Sequence, residues 1–187
     1  MTDRPVDDQL GATVWLTGLP AAGKSTLARA VEVGLRSQGV AVCRLDADEL
    51  RDGLNSDLGF TPEDRRENIR RVGEVALLVS RMGFVALVAI VSPYRDARAL
   101  VRGRHRDACV PFIECHVATP VQECARRDPK GLYRRAHSGE LEQFTGVSAP
   151  YEEPLRPNLV IDPGWGPETA ARAILAVLAG VHAAPVR

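Results

Sequence analysis

Gly18-Leu-Pro-Ala-Ala-Gly23-Lys24-Ser25 sets two glycines, an ammonium and a hydroxyl at the spacing G-x-x-x-x-G-K-[ST]. That spacing wraps backbone N–H groups around phosphate oxygens, sends the lysine to the β- and γ-phosphates and offers the hydroxyl to Mg²⁺. The loop follows a short apolar run and opens a helix-like stretch, so a helix N-terminus faces the same anion. Gly18, Leu19, Pro20, Ala21, Ala22, Gly23, Lys24, Ser25 and Thr26 therefore form the candidate nucleotide-binding set. A second apolar run ends in Asp46-Ala47-Asp48. One acid of that pair can position the metal while the other takes the proton of an attacking hydroxyl. Each aspartate also reads as a plain helix N-cap.

Among 24 Lys and Arg residues the lysines are Lys24 and Lys130 alone. Where arginine serves almost every other cationic role, a lysine suggests a compact charge on a flexible stem, able to follow a moving phosphoryl group. Neither lysine follows an asparagine, so the Asn-Lys-x-Asp guanine motif of a GTPase is excluded. A motor or transporter ATPase would end its apolar strand in an acid. Here the most apolar run ends in Val91-Ser92-Pro93 instead.

These residues need a frame. Apolar runs at 12–17, 40–45, 84–91, 111–117 and 158–162 read as strands. Helical periodicity fills 24–38, 94–107, 119 to about 127, and 167–181. Thr61-Pro62-Glu63-Asp64 is a strong helix start, with Thr61 as N-cap and Pro62 at N1, and that helix runs to about Met82. Its stripe Ile69, Val72, Val75, Ala76, Val79 and Met82 is the buried face. Alternating strands and helices imply a parallel α/β sheet whose ligands gather beyond the carboxyl ends of the strands. Gly18, Asp46, Ser92 and the start of 128–157 all fall there. Residues 128–157 lack a sustained apolar period and read as a functional lid, while 1–10 and 182–187 read as frayed ends.

The 187 residues suit one domain. With no formal net charge, the chain has no general field to gather nucleic acid or an acidic membrane, so local cations must hold an anionic substrate. No run approaches the roughly 18 apolar residues of a membrane span, and the polar N-terminus has no secretory pattern. The expectation is a cytoplasmic protein. Cys43, Cys109, Cys115 and Cys124 have no C-x-x-C spacing and resemble neither a disulfide framework nor a zinc site.

Gly18–Thr26, Asp46–Phe60, Arg65–Glu74, Ile90–Tyr94, Arg127–Ala136 and Phe144–Pro150 together resemble the adenylylsulfate (APS) kinases, which phosphorylate the 3′-hydroxyl of APS. Gly53-Leu-Asn-Ser-Asp-Leu-Gly-Phe60 and Asp128-Pro-Lys-Gly-Leu-Tyr133 are the most distinctive matches. The resemblance implies a P-loop kinase-type three-layer α/β sandwich with a five-stranded parallel sheet, a mobile lid at about 128–157 and a homodimer. It implies that Phe60 and Phe144 sandwich the APS adenine, that Arg51, Arg65 and Asn68 hold its phosphosulfate and ribose, and that Lys130 and Leu132 approach it from the lid. Arg127 would lie against the ATP adenine. Ser92 matches a serine assigned in the family as a phosphorylated intermediate. Ser92-Pro93 equally reads as an N-cap followed by an N1 proline, and an anion-binding or capping role is preferred, since in-line transfer needs no covalent step. Asp48 is the candidate base, and Asp46 and Ser25 organise Mg²⁺.

The chain departs from the family where Asp46-Ala47-Asp48-Glu49 replaces Asp-Gly-Asp-Asn, where Asp52 replaces a common histidine and where Pro20-Ala21 replaces Ser-Gly. Glu49 and Asp52 would repel an anionic acceptor if they pointed inward. Facing solvent or pairing with arginine would remove that repulsion. A related kinase acting on another nucleotide-like acceptor, such as a nucleoside diphosphoramidate, is one alternative. A non-catalytic nucleotide-binding subunit of a sulfate-activating complex is another.

Overall fold

In a computed structural model, which describes residues 11–183, five parallel strands form one sheet in the order β2-β3-β1-β4-β5. They are β1 (Ala12–Thr17), β2 (Val42–Asp46), β3 (Val85–Ala89), β4 (Phe112–Val117) and β5 (Leu159–Ile161). The central strands β1 and β3 are buried throughout, as unbroken apolar runs require when helices cover both faces. On β1 the side chains alternate between two cores. Ala12, Val14 and Leu16 pack with Leu27, Val31 and Leu35 of α1 (Lys24–Ser37) and Ile174 and Leu178 of α7 (Pro167–Ala183). Trp15 faces the other way, onto Ile69, Val72 and Ala76 of α3 (Pro62–Arg81) and Val101 of α4 (Arg95–Asp107).

The three-layer sandwich is the one expected from sequence, with strand ends within two residues. Thr61 caps α3 as its sequence requires: its hydroxyl accepts from the Asp64 N–H at 3.1 Å, and Asp64 accepts from the Thr61 N–H at 3.3 Å. The expected stripe differs at its end, because Met82 is 61% exposed while Leu77 and Ser80 turn inward. Two short helices have no range in the sequence reading, α2 (Ala47–Asp52), foreshadowed only by Asp46 as a possible N-cap, and α6 (Leu132–His137). The first buries no residue and the second buries Tyr133 and Ala136. Six residues are too few for periodicity to register in either. Between α5 (Val121–Arg127) and β5 the expected lid is thus partly helical, and Tyr133 and Thr145 are fully buried.

Residues 1–10 and 184–187, expected to fray, lie outside the described residues, whereas α7 continues to Ala183. No helix among the described residues is long and apolar enough to cross a membrane.

Candidate active site

The loop 18–23 leaves β1 and returns as α1 through two backbone constraints. Gly18 lies so close to β4 that a Cβ there would stand 2.6 Å from the Val117 carbonyl oxygen. Gly23 enters α1 in the left-handed region at φ 103°, which glycine adopts without strain. Lys24, 8% exposed, folds back onto this loop and donates to the carbonyls of Gly18 at 2.9 Å and Leu19 at 2.7 Å. Burial pulls its ammonium down to about 8, while the neighbouring Cys124, Asp46 and Asp48 favour the charge and limit the drop. Ser25 is half-buried and Thr26 exposed. Arg127 reaches over the loop from α5, held by Glu123 at 2.9 Å and standing 3.5 Å from the Ala22 carbonyl.

Asp46 is the N-cap of α2, accepting from the Asp48 N–H at 3.2 Å. Its other oxygen, Oδ2, is buried with no hydrogen-bond partner. Arg44 Nη1 stands 3.5 Å away, within ion-pair range but outside hydrogen-bond geometry. Among the described residues no three His, Cys, Asp or Glu side chains cluster as a metal cage. A Mg²⁺ ion needs none, because one or two protein oxygens with phosphates and waters suffice. The orphaned Asp46 oxygen, beside the loop that carries Ser25, fits that role.

Asp48 points outward and forms an ion pair with Lys130, so α2 and the lid meet at the two residues expected to act on the acceptor. The Asp128-Pro-Lys-Gly turn that presents Lys130 is fixed by Asp128, whose carboxylate accepts from the N–H groups of Tyr133 and Arg134, both at 3.1 Å. Tyr133 in turn donates to the Pro20 carbonyl at 3.1 Å and meets Phe144 edge-on, with ring centroids 5.0 Å apart. Leu132 is half-buried at the start of α6. The lid is therefore anchored to the phosphate loop through its buried face and to Asp48 through its exposed one.

Phe60 is 57% exposed and carries two guanidiniums over its ring, Arg51 at 4.3 Å and Arg65 at 5.5 Å. Arg51 donates to the Leu58 and Gly59 carbonyls, and Arg65 to the carbonyls of Phe60 and Gln143. Arg65 thereby joins the neighbourhoods of Phe60 and Phe144. Burial disfavours the charge on both arginines, and Arg51 disfavours it further on Arg65, so an anion placed between them is favoured. Asn68 lies beside this group and accepts from buried Asn55 at 3.0 Å.

Ser92 lies beyond the carboxyl end of β3 as expected, but not in the capping role its sequence suggests. It does not cap α4, whose N-cap is Tyr94. Its backbone is left-handed at φ 43°, and the side chain, 3% exposed, turns into the sheet. There its hydroxyl donates to Thr17 at 2.9 Å and accepts from Trp15 Nε1 at 3.1 Å. A hydroxyl engaged in this way is held inside the fold, not offered to a ligand. Arg98, 3% exposed, fixes the same loop from α4 by donating to the Ser92 carbonyl at 2.6 Å and to Glu114 at 2.8 Å.

Other residues went unassigned in the sequence. Glu49 pairs with Arg44 at 2.8 Å, which answers its departure from the family pattern, while Asp52 is exposed. Arg71 grips the Gly53–Phe60 loop through Asp57 at 2.6 and 2.9 Å and the Leu54 carbonyl at 3.1 Å. Arg66 similarly binds Asp96 of α4 at 3.0 Å. Asp128 had a local signal, since Asp-Pro-x-Gly reads as a turn. Asn55 had none and Arg71 only its i,i+4 pair with Glu67, because the partners that tie them to their neighbours lie more than ten residues away.

A lysine-bearing phosphate loop whose nearest carboxylates stand at the end of the next strand but one, β2, and at the start of α2 is the layout of a P-loop kinase. Similarity to known proteins narrows this class. The family model for adenylylsulphate kinase matches residues 10–162, and the chain belongs to that family. The adenylyl-sulfate kinase of Shewanella amazonensis is 54% identical over 156 residues, 83% of this chain and 78% of that one. The solved Mycobacterium tuberculosis APS kinase CysC in complex with AMPPNP and APS superposes with a TM-score of 0.88 at 45% identity, covering 90% of this chain and 98% of that one. The hexameric APS kinase from Thiobacillus denitrificans has a TM-score of 0.71 at 34% identity, covering 96% of this chain and 31% of that one.

Proposed function

We propose that the protein transfers the γ-phosphoryl group of Mg-ATP to the 3′-hydroxyl of APS, giving 3′-phosphoadenosine 5′-phosphosulfate and ADP. The observation that carries this reading is the meeting of Lys24, Asp46, Asp48 and Lys130 at the ends of β1 and β2, beside the Arg51–Phe60–Arg65 group.

Lys24 leaves the Gly18 and Leu19 carbonyls for the β- and γ-phosphates, which replace those carbonyls as acceptors. The loop N–H groups hold the same phosphates. Asp48 accepts the proton of the 3′-hydroxyl as its oxygen bonds to the γ-phosphorus and the bond from that phosphorus to the β-phosphate oxygen breaks. Ser25 and Asp46 would hold Mg²⁺, which when bound neutralises charge across the β- and γ-phosphates. Arg51, Arg65 and Asn68 hold the acceptor, Phe60 and Phe144 stack on its adenine, Lys130 and Leu132 close over it, and Arg127 lies against the ATP base. The inward hydroxyl of Ser92 supports direct transfer with no phosphoserine step.

The Glu49–Arg44 pair supports APS as the acceptor, because it engages the Glu49 carboxylate with a guanidinium instead of leaving it free to face the anion. The test is product formation from ATP with APS and with a panel of other nucleotides bearing a 3′-hydroxyl. Turnover of another acceptor with none of APS overturns the reading. Asp48→Asn should lower kcat with APS on the order of 10²-fold or more, leaving ATP binding intact.

The family resemblance also supports a homodimer in the cytoplasm. Sedimentation tests the first part, and a monomer or hexamer overturns it. Cell fractionation tests the second.

A further inference from the structure

We infer that Asn55 is a positioning residue that decides which end of the Asn68 amide faces the acceptor. The inference rests on the reading that Asn68 contacts that acceptor.

Asn55 is fully buried and held by its own backbone. Its N–H donates to the Leu50 carbonyl at 2.8 Å, and its carbonyl accepts from the Leu58 N–H at 3.1 Å. Arg71 grips the same loop from α3 through Asp57 and the Leu54 carbonyl. The side chain therefore has a fixed origin. From it, Nδ2 donates to Asn68 Oδ1 at 3.0 Å.

An amide has a donor end and an acceptor end. With its oxygen taken by Asn55, Asn68 has only its NH₂ left to present, and that group has no protein partner among the described residues. An NH₂ suits the oxygens of a phosphosulfate or a ribose; a carbonyl oxygen would repel the anion. The arrangement is locally imperfect, because Asn55 Oδ1 is buried with no hydrogen-bond partner. A buried acceptor left unpaired is unfavourable, which a residue present only to fill the loop would not incur. Turning the Asn55 amide alone would set two oxygens face to face. Turning both amides would point the Asn68 oxygen at the acceptor. The hydrogen bond from Asn55 thus ties the polarity of the Asn68 amide to its own.

The test is a set of variants followed by KM for APS, KM for ATP and thermal melting. Wild-type turnover of APS decides the underlying reading separately, and the cycle is run on whichever acceptor is phosphorylated. Asn55→Asp can only accept, so it should turn the Asn68 NH₂ inward and raise KM for APS roughly tenfold, with KM for ATP unchanged. Should the buried carboxylate prevent folding, Asn55→Ala, Asn68→Ala and the double variant form a cycle. If Asn55 acts through Asn68, the double variant has the KM for APS of Asn68→Ala alone, within about twofold. Additive increases, no increase in Asn55→Ala, or equal increases in both KM values overturn the inference.

Discussion

The donor and acceptor halves of this site are built from different material. Around the phosphate loop the binding groups are backbone N–H groups and one lysine that is 8% exposed, held between Gly18, Gly23 and the end of β4. On the acceptor side the groups are long side chains at the surface: Phe60 at 57% and Lys130 and Asp48 at 56% and 68% exposure. A backbone cradle accepts the phosphates of any nucleotide at little ordering cost. Exposed arms must be ordered by the ligand, so they discriminate between acceptors and lose most when the ligand is wrong.

Each half can be broken separately. The largest effect is expected from Lys24→Ala, a loss of turnover on the order of 10³-fold in a steady-state assay, with melting retained because the side chain bonds only its own loop. A comparable loss from Phe60→Ala or Lys130→Met, acceptor-side arms that take no proton, would remove the distinction between the halves. Phe60→Ala should raise KM for APS about tenfold, as expected for one lost stacking contact of roughly 1–3 kcal/mol, and leave KM for ATP unchanged. Equal changes for both substrates would place Phe60 outside the acceptor pocket.

A smaller, few-fold effect should come from pH. The buried Lys24 ammonium titrates near 8, below its ordinary 10.5. The unfolded chain therefore holds more protons between about 8 and 10.5, and stability from this group rises with pH through that window. Affinity for ATP should move oppositely, falling above pH 8 as the ammonium of the free protein loses its proton. Titration of an ATP analogue by calorimetry across pH 7–10 checks this, and Lys24→Arg should flatten the profile. The smallest effect belongs to Lys130→Met, because an exposed ion pair is worth at most about 1 kcal/mol. Melting should scarcely change, and KM for APS should rise a few-fold, more at low salt than at high salt.

The same contrast explains which parts of the fold were legible. The α3 start was readable because Thr61, Pro62 and Asp64 act within one turn. The β1 and β3 strands were readable because unbroken apolar runs suit a sheet covered on both faces. Asp46 as a cap and Asp46 as a metal carboxylate were posed as rivals, but its two oxygens separate the roles: one caps α2 and the other is left unpaired. Ser92 misled because Ser-Pro is a helix-start pattern. The chain continues two residues further before α4 begins, and Trp15 and Thr17 draw the hydroxyl inward.

By itself the sequence determined the phosphate loop, the alternation of strands and helices, and the family, since each rests on residues adjacent in the chain and on spacings that local geometry enforces. Tertiary structure alone decided that Lys130 meets Asp48, that Arg71 grips the Gly53–Phe60 loop, that Glu49 pairs with Arg44 and that Asn55 faces Asn68. Most of these contacts join elements separated by many residues of chain. The partner of a side chain is then set by where the sheet and helices bring it, because hydrogen bonds and charges act over a few ångströms of space.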